Sequence, residues 1–80
     1  MEIKVFGPGC ARCVEAENVV RQAAEQAGGE ISVIKVSDFR EIMAARIIST
    51  PAVMVNGQIK CTGRVPTGDE VTSWIAETRA

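Results

Sequence analysis

Two cysteines separated by two residues dominate this chain, in the stretch Gly7-Pro8-Gly9-Cys10-Ala11-Arg12-Cys13. A short apolar strand leads into it and a helical pattern leaves its second half. Gly7-Pro8-Gly9 stops the strand, because proline lacks a ladder N–H and glycine accepts turn geometry. The spacing leaves the two thiols one helical turn apart, close enough to bond to each other. The first N–H groups of a helix lack partners within it, so a sulfur placed there is favoured as thiolate. A dithiol that closes to a disulfide is the chemistry this stretch offers.

The elements around it follow in order. Residues 1–6 alternate as a strand, with Ile3 and Val5 on one face and Glu2, Lys4 and Phe6 on the other. From Ala11 to Ala27 the pattern is helical. Cys13, Ala16, Val20, Ala23, Ala24 and Ala27 share a face, and Gly28-Gly29 ends the helix. Cys13 therefore begins the core-facing stripe, whereas Cys10, one turn earlier, faces solvent. That asymmetry is what an attacking and a resolving thiol require.

Ile31–Val36 is a second strand, nearly continuous in apolar residues as suits a sheet covered on both faces. Strand, helix and strand of this length imply a parallel pair with a right-handed crossover. Asp38 and Glu41 resemble a capping pair for a helix over 38–48, with Phe39, Ile42, Met43 and Ile47 as its apolar stripe. Thr50 precedes Pro51 and is held extended, so the helix ends by Ser49. Residues 52–55 and 58–62 form a hairpin about Asn56-Gly57. Thr67 and Glu70 form a capping box for a last helix whose Val71, Trp74 and Ile75 point inward. Cys61 shares strand parity with Ile59 and reads as a small buried hydrophobe, and Met43, Met54 and Trp74 read as core. Lys4, in a central strand, is expected to snorkel past the sheet end. The expected architecture is βαβαββα over a single domain, residues 1–80: an α/β fold with a four-stranded mixed sheet and helices on both faces.

Composition narrows the chemistry. A net charge of −1 over 80 residues gives no electrostatic footprint for nucleic acid or an anionic membrane. No apolar run approaches the roughly 18–20 residues of a membrane span, and Met1–Phe6 is too polar for a signal peptide. A cytoplasmic location is the expectation, and in a reducing compartment a CxxC is catalytic or metal-binding rather than structural. Three cysteines are too few for a disulfide scaffold, and the absence of histidine removes Cys–His catalysis and any His-containing zinc site.

Strand, CxxC turn, helix and then Thr50-Pro51 opening a hairpin strand resemble the thioredoxin fold in its minimal, glutaredoxin-sized form. Gly9-Cys10-Ala11-Arg12-Cys13, Thr-Pro followed by Val-Asn-Gly, and Gly63-Arg64-Val65 are similar to the small "redox-active disulfide protein 2" type within that superfamily. The resemblance implies that Cys10 attacks, that Cys13 resolves the mixed disulfide, and that a redox-active disulfide joins Cys10 to Cys13. It implies a cis bond before Pro51, with Thr50 offering backbone hydrogen bonds to an extended substrate. Pro8, Gly9 and Arg12 would shape the site, and the Arg12 charge would favour the thiolate. Typical thioredoxins carry Trp where this chain has Gly9, and a buried acid where it has Lys4. Glutaredoxins proper follow the hairpin with Gly-Gly and then an acid, where this chain has Gly63-Arg64. Protein disulfides as substrates and a thioredoxin-reductase-like or other dithiol donor are thus the expected partners, with a monomer, no cofactor and no metal.

Two other readings compete. Copper- and zinc-chaperone domains also place CxxC between their first strand and helix, and Cys61 could supply a third thiol to a metal or metalloid. They run βαββαβ, however, and usually carry Met-x-Cys. A redox switch without turnover would share the fold and the cysteine pair.

Overall fold

The computed structural model describes residues 1–79, and the order of its elements is that expected: β1 (Glu2–Phe6), α1 (Ala11–Ala27), β2 (Ser32–Val36), α2 (Phe39–Ala44), β3 (Ala52–Val55), β4 (Gln58–Thr62) and α3 (Gly68–Arg79). The strands lie in the order β2-β1-β3-β4. β1 pairs β2 in parallel, β3 runs antiparallel to β1, and β4 antiparallel to β3. This is a minimal thioredoxin fold.

Strand alternation divides the core in two. Ile3, Val5, Val53 and Val55 face α1 and α3, where Ala16, Val20, Ala23, Val71 and Ile75 close the larger cluster. The alanines of α1 keep that helix close to the sheet. Phe6, Val36 and Ala52 face the other way and meet Ile42 and Ile47 in the smaller cluster. Trp74 and Met54 flank these clusters half-buried. The capping box of α3 forms as expected: Thr67 Oγ1 accepts the Glu70 N–H at 3.1 Å, and Glu70 Oε1 accepts the Thr67 N–H at 3.0 Å. At the other end, the Arg79 guanidinium donates to the carbonyls of Ala27 and Gly28 at the C-terminus of α1.

Three local expectations are corrected. The second helix covers 39–44 rather than 38–48. Arg46 adopts φ 61°, its N–H donates to Met43 O at 2.9 Å, and the Ile47 N–H reaches Ile42 O at 3.2 Å. This is a Schellman ending, in which Ile47 folds back against Ile42 and its burial offsets the strain of a left-handed arginine. With so short a helix, Phe39 and Met43 are not core. They stand 69% and 60% exposed, and Ile48 beyond them is 99% exposed.

The second correction concerns β2, which is an edge strand with Ile34 exposed rather than a strand covered on both faces. The third concerns β4. Val53 pairs Cys61, but its neighbour Met54 pairs Ile59, so a bulge at Lys60 turns Cys61 and Ile59 to opposite faces. Cys61 is buried as expected, although parity with Ile59 is not the reason.

Candidate functional site

The Gly7–Cys13 turn sits where β1 ends. The Gly7 N–H donates to Val36 O at 2.9 Å, which carries the β1–β2 ladder one step past Phe6. Gly9 then takes φ 103°, a left-handed conformation natural to glycine. Cys10 is the N-cap of α1. Its extended backbone turns the chain into the helix, its carbonyl accepts the Val14 N–H at 3.0 Å, and its Sγ accepts the Cys13 N–H at 3.3 Å.

The cap also brings the sulfurs together. Cys10 Sγ and Cys13 Sγ lie 2.6 Å apart, with Cys10 exposed and Cys13 only 2% exposed. Their acidities diverge for that reason. Hydrogen bonding from the Cys13 thiol, and then from the Cys13 N–H, holds the Cys10 thiol below the ordinary cysteine range, with smaller help from the Arg12 N–H. Burial pushes the Cys13 thiol up, and its hydrogen bond to Cys10 adds to the effect. One sulfur is reachable and more readily ionised, and the other is buried and less readily ionised. The Arg12 side chain itself is exposed.

Thr50 and Pro51 reach the same end of the sheet through β3. Phe6 pairs Ala52, so the register carried one step further sets Pro51 across from Gly7. The Thr50–Pro51 bond is cis, Pro51 is buried and Thr50 is half-buried. The Gly63 N–H donates to Pro51 O at 2.9 Å, which ties the loop after β4 to this segment. Pro8 and Gly9 are exposed beside the cysteines. Lys4 is half-buried, and its Nζ lies 3.7 Å from Glu2 Oε1, toward the end of β1 remote from the cysteines.

Cys61 does not join the pair. It belongs to the larger core cluster, where burial pushes its thiol up and the Arg64 charge partly opposes that. Among the described residues, no group of three or more His, Cys, Asp or Glu side chains is placed to hold a metal ion. No described helix is long and apolar enough to cross a membrane.

Two site glycines have roles that strand and turn patterns do not reveal. Gly7 stops the strand and also packs directly against Cys13, and Gly63, within the Gly63-Arg64-Val65 stretch that carries the family resemblance, bonds to Pro51. A small residue just before the CxxC turn is the sequence signal for Gly7, and the resemblance is the signal for Gly63.

Comparison with known proteins agrees with this geometry. A family profile described as thioredoxin domain matches residues 1–76. The chain belongs to the thioredoxin family. Relatives named thioredoxin occur in Methanothermobacter thermautotrophicus, 31% identical over 71 residues, covering 89% of this chain and 92% of the relative. Another, in Methanocaldococcus jannaschii, is 33% identical over 69 residues, covering 86% of this chain and 79% of the relative. Thioredoxin-family membership makes the general chemistry that of a thiol–disulfide oxidoreductase.

Proposed function

We propose that this chain reduces protein disulfides through Cys10 and Cys13. The observation that carries the reading is the unequal pair: an exposed Cys10 at the mouth of α1, 2.6 Å from a buried Cys13, with hydrogen bonding holding the first thiol below the ordinary cysteine range and burial pushing the second above it. The Cys10 thiolate attacks one sulfur of a substrate disulfide, forming a Cys10–substrate bond and releasing the other sulfur as thiolate. Cys13 then loses its proton and attacks Cys10 Sγ. The Cys10–Cys13 bond forms, the mixed disulfide breaks, and the substrate leaves with two electrons and its second sulfur as a thiol.

The surrounding residues serve these steps. Thr50 offers backbone hydrogen bonds to an extended substrate strand beside Pro51, while Pro8, Gly9 and Arg12 border the attacking sulfur. The partners of this reading are disulfide-bearing proteins and a thioredoxin-reductase-like or other dithiol donor that restores the pair. A single cytoplasmic domain acting as a monomer, with no cofactor, completes it.

Insulin reduction with a dithiol donor tests the proposal. Wild type should turn over, Cys10→Ser should be inactive, and Cys13→Ser should accumulate mixed disulfides with substrate. Wild type that exchanges with no disulfide would overturn it.

A further inference from the structure

Glycines in this chain serve two different purposes. Gly9, Gly28, Gly29, Gly57 and Gly63 all have positive φ, where a side chain is strained whatever the space around it. Gly7 does not share that conformation, so backbone freedom does not account for it. Space does. Gly7 is buried, and a Cβ placed on it would fall onto Cys13 Sγ and stand 2.7 Å from Cys13 Cβ. By contrast, a Cβ at Gly9, Gly28, Gly57 or Gly68 would meet nothing within 4 Å. At Gly63 it would approach Ser49, and at Gly29 the Arg79 guanidinium.

The contact cannot be relieved by a small rotation of the sulfur alone, because Cys13 Cβ is involved and is fixed by the first turn of α1. The Gly7 backbone is fixed in turn by its bond to Val36 O, at 2.9 Å. Helix and strand end therefore meet across one missing side chain.

We propose that Gly7 is a positioning residue of the dithiol: the absence of a side chain there forms the seat of Cys13 Sγ and sets its approach to Cys10. The catalytic half of this inference rests on the thiol-exchange reading. In the resolving step the Cys13 thiolate must approach Cys10 Sγ in line with the bond that breaks. As the Cys10–Cys13 bond forms, the electron pair of the broken bond leaves on the departing sulfur. A methyl group at position 7 displaces the attacking sulfur from that line, while the exposed Cys10 keeps its access to the first disulfide.

Two measurements on the whole chain test the inference. The first is thermal stability of Gly7→Ala in three backgrounds: Cys13 intact, Cys13→Ala and Cys13→Gly. With Cys13 intact the substitution should lower Tm by more than about 5 °C. The loss should shrink when Cys13→Ala removes the sulfur, and shrink further when Cys13→Gly removes Cβ as well. If Gly7→Ala does not fold with Cys13 intact, recovery of folding in the truncated backgrounds supports the seat. The same Tm loss in all three backgrounds, or failure to fold in all three, overturns it.

The second measurement uses dithiobis(nitrobenzoate), which gives up one coloured thiolate when Cys10 attacks and another when Cys13 resolves. Above the Cys10 ionisation midpoint of each protein, where loss of the Cys13 hydrogen bond no longer changes the amount of thiolate, Gly7→Ala, or Gly7→Ser if the alanine variant is unstable, should leave the first release unchanged. The second should slow by up to about 100-fold, as expected for an ~1 Å misplacement of a reacting atom. An unchanged second release overturns the positioning role. Neither measurement needs a protein substrate. A wild type inert toward insulin would thus dispose of the reductase reading while leaving the Gly7 result to stand or fall by itself.

Discussion

The Gly63 N–H donates to the Pro51 carbonyl at 2.9 Å, so the loop that leads to α3 is bonded to the residue that opens β3. The next residue continues the restraint. Arg64 grips both carboxylate oxygens of Glu70 at 2.7 Å, and Glu70 also accepts the Thr67 N–H. The end of the sheet that carries the cysteine pair and the start of α3 are thereby joined through a short chain of hydrogen bonds.

This fork makes stability sensitive to acid. Hydrogen bonding from Arg64, followed by that from the Thr67 N–H, holds the Glu70 carboxyl down to about 2, from an ordinary value of 4.5. A carboxyl depressed in the folded state stabilises it above the unfolded value, and that contribution disappears as pH falls through the folded value. Urea midpoints should therefore fall between pH 4.5 and about 2. Glu70→Gln should begin lower and show a shallower decline across that window. Parallel curves for the two proteins would show that the pair does not contribute, as happens with many exposed ion pairs.

The two thiols should ionise in separate pH ranges. Alkylation of Cys10 by iodoacetamide, located by mass spectrometry, should have its midpoint below the ordinary cysteine range, and Cys13 above it. Because the Cys13 thiol is the chief cause of the Cys10 shift, Cys13→Ala should move the Cys10 midpoint upward. A midpoint unmoved by Cys13→Ala would transfer the credit to the helix N–H groups.

Arg46 holds a position that suits glycine. It is the left-handed residue closing α2, and the burial of Ile47 against Ile42 keeps it there. Arg46→Gly should raise stability by about 0.5–1 kcal/mol, the relief of left-handed strain less the greater freedom of glycine in the unfolded chain. Urea denaturation measures this directly, and a loss of stability would contradict the account of how α2 ends.

Burial separates two isoleucines of equal hydrophobicity. Ile3 is fully buried at the centre of the larger cluster, and Ile48 is 99% exposed. Ile3→Ala should lose about 2–5 kcal/mol, through transfer and cavity terms together. Ile48→Ala should remain within about 0.5 kcal/mol of wild type. Comparable losses at the two positions would mean that Ile48 is covered in solution.

What the sequence made legible was periodic or local. The α1 face could be read because Cys13, Ala16, Val20 and Ala23 repeat at helical spacing, and all four are buried. The hairpin turn could be read because Asn56 and Gly57 tolerate positive φ, which both adopt. The cis bond before Pro51 followed from resemblance to the family, not from spacing. The misses share a different cause. An arginine ended α2 where glycine would have announced the stop, and a bulge at Lys60 broke the parity used to orient Cys61. Gly7 matters because α1 returns a sulfur to a strand end. Only tertiary packing brings those two together.

The guanidinium that α3 lays on the carbonyls of Ala27 and Gly28 serves the opposite end of the helix that Cys10 caps. The aligned peptide dipoles of α1 run from Cys10 to that guanidinium, positive end at the sulfur and negative end at the cation. When Cys10 sheds its proton, the new anion completes a macrodipole already matched at its far pole. The last turn of α3 and the Cys10 sulfur thus occupy opposite poles of one helix, each matched in sign to the turn it meets.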